Sequence, residues 1–521
     1  MSKLGLPRRI ILALVWIIFS SIQACDGPDE PSRSWDISKS WFEEDPTIEV
    51  IPSPTNTPSP SLLRLIPPTR RPDEPYSTPT PDSARNPPQI RTEAESYVVQ
   101  PGDSINMIAS RFGVGARQII NANNITNPNL LAVGQVLTIP ASIRREPGSS
   151  FKIIPDSELV YGPASAFYGL YTDVINRGGF LRDYTEVVEG QELSGRAIVQ
   201  LVTQRYSINP QLLLAVLEYQ SGWLTSQEIS PTGRFYSVGY IGPGWDGLYN
   251  QLSYAANQLN AGYYLWQAGW LGPYILRDGS VVVPGAGVNA GTVAVQYLFS
   301  QLYEVDKWRA VIAETGFYRT YLTLFGNPFD RGVEPLVPDE LEQPLMQLPF
   351  ESEKTWSFTS GPHSAWDTGA AWAALDFSPP GDWVGCVNSN EWVVAVADGL
   401  IVRAGEGEVI LDLDGDGYEQ TGWVLLYMHV GEHGRVQPGV SLHAGDRIGY
   451  PSCEGGITTG THLHLARKYN GEWIPADGPL PFIMDNWVSG GQGIEYDGTM
   501  SRESVVVEAY FNHGPGNQIS R

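Results

Sequence analysis

The sequence predicts a multidomain chain: a small βααβ module, a mainly α-helical middle domain and an all-β C-terminal domain. Three observations carry this prediction. The 521 residues exceed what one compact core organises, so two to four domains are expected. Residues 97–140 read strand, helix, helix, strand. From Phe358 the apolar pattern changes from helical spacing to short alternating runs between Gly-rich turns, and all seven histidines lie from His363 onward. The formal charge of −24 and pI near 4.6 argue against a nucleic-acid partner, which would need a basic face. Three cysteines are too few for a disulfide-dense scaffold, and their odd number needs a reason.

The first 24 residues read as an export signal. Lys3, Arg8 and Arg9 precede an apolar run from Ile10 to Phe19, shorter than the roughly 20 residues a bilayer span needs. Ala24-Cys25 after such a run resembles the bacterial lipoprotein signal. That resemblance implies cleavage before Cys25, lipid on its sulfur, and anchoring to a membrane of the cell envelope. An ordinary signal peptide cut after Ala24 and an uncleaved anchor are the other readings, and all three export the chain. With Cys25 lipidated, Cys386 and Cys453 are left as a pair, and export makes a bridge between them chemically reasonable. Residues 25–95 are rich in proline, which lacks an N–H and fixes φ. They are expected to form an extended, disordered tether.

Residues 96–141 form the small module. Tyr97-Val98-Val99 is a strand, and Pro101-Gly102-Asp103 is turn chemistry. Asp103 or Ser104 can cap a helix with Ile105, Ile108, Ala109 and Phe112 on one face. Ala116–Asn123 is a second helix, and Gln135–Ile139 closes the module. Its opening PGDS and closing VGQVLTIP resemble the LysM domain over its whole length. The resemblance implies binding of N-acetylglucosamine-containing glycans, chiefly peptidoglycan. It places Gly102, Asp103, Ser104, Asn127 and Leu130 at the sugar.

Residues 150–345 are the helical domain. Helices are expected over Ala197–Tyr206, Pro210–Tyr219, Leu248–Trp270, Thr292–Tyr303 and Asp306–Phe317. Asn209-Pro210-Gln211-Leu212, Tyr240-Ile241-Gly242 and Val288-Asn289-Ala290-Gly291 resemble, in order, three motifs of lysozyme-like lytic transglycosylases. That family needs Glu before Ser at the end of the first motif, and here the pair is Gln220-Ser221. An amide cannot protonate a glycosidic oxygen. A degenerate lysozyme-like domain without glycosidase activity and an unrelated helical bundle are the two readings.

Residues 350–490 hold the β-rich domain, with 491–521 as a C-terminal extension. Trp392–Ala397, Leu400–Ala404, Glu408–Leu413 and Trp423–His429 read as strands. His462 and His464 lie on another, and residues i and i+2 of a strand share a face. His363 follows a turn, His429 ends a strand, and Asp376 begins Asp376-Phe377-Ser378-Pro379. A set of imidazoles with a carboxylate fits zinc with one position left for water.

Gly460-Thr461-His462-Leu463-His464 resembles the G-x-H-x-H element of the lysostaphin-like M23 zinc endopeptidases of peptidoglycan. The resemblance implies a Zn²⁺ held by His363, Asp376 and His464, with His462 and His429 as catalytic histidines. Spacing alone would make Asp367 the ligand after His363. The family's carboxylate, however, precedes an apolar residue and a small-residue-Pro string, the context of Asp376. Asp376 is therefore the expected ligand and Asp367 the alternative. Asp412-Leu413-Asp414-Gly415-Asp416 lacks the glutamate of an EF-hand, Trp423 standing at that position, and reads as an acidic hairpin turn. No role is predicted for His433, His443 or His513. The expected function is zinc-dependent hydrolysis of peptide bonds in peptidoglycan stems or cross-bridges. The rival is a non-catalytic wall-binding activator of another hydrolase.

Overall fold

The computed structural model describes residues 93–521 apart from 101, 129, 142–144, 167–169 and 382–384. The export signal, Cys25 and nearly all of the tether lie outside the described residues. Among the described residues no helix is long and apolar enough to cross a membrane.

The N-terminal module consists of β1 (Glu95–Val98), α1 (Ile105–Phe112), α2 (Ala116–Asn123) and β2 (Val136–Ile139), with β1 and β2 antiparallel. Ile105, Ile108 and Ala109 of α1 and Ile119 of α2 are buried against Leu137 and Ile139. Ser104 Oγ accepts the Met107 N–H at 3.3 Å and so caps α1. Asp103 instead closes the turn before it, accepting the Gln100 N–H at 2.8 Å and the Tyr97 hydroxyl at 2.6 Å.

The middle region is helical. Its main elements are α3 (Gly195–Tyr206), α4 (Pro210–Ser221), α5 (Leu248–Gln267) and α6 (Ala290–Leu302). Asn209 caps α4 through the Gln211 N–H at 2.9 Å, and Pro210 opens the helix where a missing N–H costs nothing. The helix expected over Asp306–Phe317 divides into Val305–Val311 and Phe317–Phe325. Gly316 breaks it: a Cβ there would lie 2.3 Å from the Val311 carbonyl oxygen.

The C-terminal region is built on a nine-stranded antiparallel sheet. Its strands are β3 (Thr355–His363), β4 (Ala374–Ser378), β5 (Gly399–Gly405), β6 (Glu408–Asp412), β7 (Trp423–Met428), β8 (Ser441–Leu442), β9 (Leu463–Tyr469) and β10 (Gln518–Ser520). The order is β8-β5-β6-β7-β9-β4-β3-β10, with Glu472–Trp473 paired to β9. The segment expected as a separate extension therefore supplies the edge strand beside β3.

The sheet is buried on both faces, and the period of two assigns each residue to a side. Leu375, Phe377, Leu411, Leu425, Tyr427, Leu463 and Leu465 enter one core. Ala374, Ile410, Val424, Leu426, Met428 and Ala466 enter the core shared with the helices. A buried ionic chain crosses this second contact. Arg205 of α3 donates to Glu408 at 3.0 Å, Arg403 pairs with Glu408 and Glu419, and Lys468 reaches Glu419 at 3.2 Å.

Glu472 lies in the same contact, accepting the Tyr263 hydroxyl of α5 at 3.2 Å. Burial raises its pKa from 4.5 to about 7. An acid with a higher pKa in the folded state binds its proton more tightly there. The stability this gives is complete below pH 4.5 and is lost as pH rises through 7. Glu472→Gln removes that loss. The variant should gain on the wild type by about 3 kcal/mol between pH 4 and pH 8. Thermal unfolding at the two pH values checks this; a gap that does not change with pH refutes it.

Candidate metal centre

The face that the helices share does not stay covered along its whole length. On β9 the residues pointing that way are His464, Ala466 and Lys468, and on β4 they are Ala374 and Asp376. Ala374 and Ala466 pair in register and pack under the helices. Two residues further along the strands, Asp376 and His464 pair in the same way. His363, at the end of β3, joins them.

These three side chains offer ligand atoms that all lie within 4.8 Å of one another. His363 Nε2 is 3.0 Å from His464 Nδ1, and Asp376 Oδ1 is 3.3 Å from the first and 3.2 Å from the second. The outer nitrogen of each ring meets a backbone carbonyl: His363 Nδ1 that of Gly361 at 2.8 Å, His464 Nε2 that of Ala365 at 3.0 Å. A carbonyl only accepts, so both outer nitrogens carry hydrogen. In the neutral rings the inner nitrogens are then bare lone pairs facing each other. Asp376 Oδ1 is buried without a hydrogen-bond partner. Two lone pairs and a carboxylate oxygen converging on one point repel unless a cation sits between them. The donor set therefore fits a metal ion.

Charge couples these side chains. Burial would raise the Asp376 pKa, but the imidazoles of His363 and His462 outweigh it and hold the carboxyl well below its usual range. Burial would lower His363, but the Asp376 carboxylate beside it wins and the ring titrates above its ordinary value. Burial lowers His464.

His462 and His429 stand next to this group with ring centroids 4.6 Å apart. His462 Nδ1 is held by the Gly460 carbonyl at 2.7 Å, and Nε2 lies 3.6 Å from Asp376 Oδ2. His429 has φ +66°, an uncommon conformation for a non-glycine residue. Its Nδ1 is held by the Glu454 carbonyl at 3.0 Å. Burial, then the nearby His462 and His464, lower its pKa to about 4. A disulfide joins Cys386 to Cys453. It ties the loop that carries Gly385, at the cleft, to the loop whose Glu454 holds His429.

Asp367 is elsewhere. Residues 364–373 pack between the sheet and the helices, and Asp367 Oδ2 accepts the Tyr206 hydroxyl of α3 at 3.0 Å. Gly369 fits so closely under α5 that a Cβ would lie 2.1 Å from the Asn257 carbonyl oxygen. Residues 364–373 thus serve the contact with the helices.

Three residues without a sequence signal border the site. Tyr496 stacks on His363, with centroids 4.9 Å apart and planes at 24°. Glu495 accepts the Ser364 N–H at 3.2 Å and its hydroxyl at 2.8 Å. His513 lines the cleft in front of Asp376 and His462. His433 stacks on Tyr450, and His443 is exposed beside Asp398.

The other motif residues lie apart from this group. In the helical region Gln220 accepts the Tyr303 hydroxyl, and Glu218 accepts the Leu224 N–H at 2.8 Å. Asp412, Asp414 and Asp416 come together in the β6–β7 turn. There the Asp412 carboxylate accepts the N–H groups of Asp414 and Gly417. In the N-terminal module Gly102 and Asp103 line a small crevice, Leu130 is exposed, and the Asn127 carbonyl accepts the Leu130 N–H at 3.2 Å.

Comparison with known proteins divides the chain the same way. The LysM domain model matches residues 97–140, and the model of the LasA N-terminal domain matches residues 152–338. Protease LasA of Pseudomonas aeruginosa is 26% identical over 346 residues, 62% of this chain and 75% of that protein. Beta-lytic metalloendopeptidase of Achromobacter lyticus is 26% identical over 190 residues, 33% of this chain and 46% of that protein. Among solved structures, the M23 metalloprotease pseudoalterin is 22% identical, with a TM-score of 0.27, covering 32% of this chain and 97% of its own. The chain thus matches a LysM domain and a LasA N-terminal domain in turn, and with its His/Asp/His group it is similar to protease LasA and to beta-lytic metalloendopeptidase.

Proposed function

We propose that the protein is an exported zinc endopeptidase that hydrolyses peptide bonds in the stems or cross-bridges of peptidoglycan. The observation that carries this reading is the buried His363–Asp376–His464 group, whose bare nitrogens and orphan carboxylate oxygen converge on one point. The disulfide supports export, since such bonds persist in oxidising compartments. Cys25 as a lipidation site belongs to the same reading and rests on the sequence alone.

In this mechanism His363, Asp376 and His464 would hold a zinc ion, which would supply Lewis acidity and acidify water at the site. His462 would take a proton at Nε2. Its Nδ1 is occupied by Gly460, which leaves Nε2 free, 3.6 Å from Asp376 Oδ2. His429 rests neutral, as its pKa near 4 requires. Its Nδ1 is occupied by Glu454, so Nε2 would take a proton from solvent as an oxyanion develops beside it and donate to that oxyanion. The LysM module, with Gly102, Asp103, Ser104, Asn127 and Leu130 at the sugar, holds the enzyme on glycan. That raises the local concentration of peptide at the cleft.

Two sets of variants test these roles. Asp376→Ala should lose stoichiometric zinc, while Asp367→Ala keeps it and gives up only the hydrogen bond to Tyr206; metal analysis after dialysis decides, and the reverse result transfers the ligand role to Asp367. His462→Ala should retain zinc yet slow peptidoglycan clearing by a factor of about 10² or more. Zymography with purified peptidoglycan reads this, and chelation should abolish the wild-type band. A zinc-loaded wild type that releases no peptide fragments would overturn the reading.

A further inference from the structure

The cleft in front of Asp376 and His462 encloses about 360 Å³. One wall comes from Gly385, Thr459, Gly460 and His462. The other comes from the C-terminal segment, through Phe511, Asn512 and His513. We propose that the 510–513 loop is the substrate wall of the cleft, where Phe511 and His513 grip an uncharged peptide segment beside the scissile bond. This rests on the peptidase reading above and deepens it.

The loop is built into place. Asn517 is 1% exposed, and its side-chain amide donates to the carbonyls of Phe358, Tyr510 and Asn512 at 3.2, 2.8 and 2.8 Å. Its Oδ1 accepts the Gly514 N–H at 3.0 Å. Main-chain bonds join Phe358 to Asn517 at 2.7 Å and Tyr510 to Phe358 at 3.2 Å. Through β3 the loop is thus fixed to the strand that ends in His363.

Such a tether would normally seat an aromatic ring in a core. Here Phe511 is 76% exposed and Tyr510 53%, with rings 4.7 Å apart. A large apolar ring held rigidly at a cleft gains its burial from a ligand. His513 is set differently. Its Nδ1 lies 2.9 Å from the hydroxyl of Ser357, a residue only 3% exposed, which fixes the ring and leaves Nε2 for a substrate amide.

The lining also defines the peptide's chemistry. Among the described residues it holds no lysine, arginine or glutamate, and Asp376 is its one charged side chain. A charged side chain at this subsite would be desolvated without a partner. Residues without charge fit.

The test uses the full chain loaded with zinc and cross-linked muropeptides released from purified peptidoglycan by a muramidase. Phe511→Ala and His513→Ala should each raise KM about tenfold with kcat reduced less than about threefold and zinc content unchanged. Phe511→Tyr should restore the wild-type KM. In the His462→Ala background, Phe511→Ala should weaken muropeptide binding, measured by calorimetry, by about tenfold. Wild-type turnover with unchanged KM and binding in both alanine variants overturns this proposal and leaves the peptidase reading standing. A wild type that neither binds nor cleaves the muropeptides overturns both.

Discussion

The structure depends on one buried carboxylate. Asp376 sits among His363, His462 and His464, out of water, with one oxygen lacking any hydrogen-bond donor. Isolated ions in such surroundings cost several kcal/mol, and the cost is recovered only through close, well-aimed opposite charge. The surrounding chain supplies the aim. The carbonyls of Gly361 and Ala365 fix two tautomers, so that the nitrogens facing the carboxylate are the ones without hydrogen. Register places Asp376 directly across from His464. Tyr496 closes over the His363 ring. Each device would be redundant if the group only filled space; together they prepare a cation site.

The helical region owes its position to the same sheet. Its core continues onto Ala374, Leu426 and Ala466 and ends at Met428, the register partner of His464. Small residues at 365, 370, 371 and 373 let the β3–β4 connection lie flat between helices and sheet. The ionic chain from Arg205 to Lys468 runs through this contact with alternating sign, and removing Glu419 would leave Lys468 buried without its counter-charge. The helices and the sheet therefore share one packed contact, and the His363–Asp376–His464 group lies beside it.

How much of this could be read beforehand follows from the range of each interaction. The period of two puts His462 and His464 on one face from two letters of sequence, and the helix starts at Asn209-Pro210 and Ser104 are equally local. Asp376 could be preferred to Asp367 because the residues after a ligand on a strand carry their own pattern. What made Asp367 unsuitable could not be seen. It belongs to a contact with Tyr206, 161 positions away. The same holds for the end of the chain. Residues 491–521 show ordinary strand and turn composition, and nothing local says that Gln518–Ser520 pairs beside β3. Tyr496 reaches the site through main-chain bonds with Gly361 and Pro362, and His513 through Ser357 beside that pairing, so spacing gave them no role.

That edge pairing links folding to chemistry. An unpaired edge beside β3 would expose the N–H and C=O groups of the strand that ends in His363. β10 covers part of it, and Asn517 holds the chain leading into β10 while gathering the carbonyls of the preceding loop. One segment thus closes the sheet and shapes the cleft. A metal ligand at a strand end needs a strand that does not fray, because a displacement of a few tenths of an ångström would part His363 Nε2 from its two neighbours. The strand that steadies His363 is reached through the loop carrying Phe511 and His513. Changes to the wall that loosen Asn517 would be felt at the metal, whereas changes at the exposed tip would not. The fold therefore leaves the tip free to vary in what it grips while the metal group stays fixed.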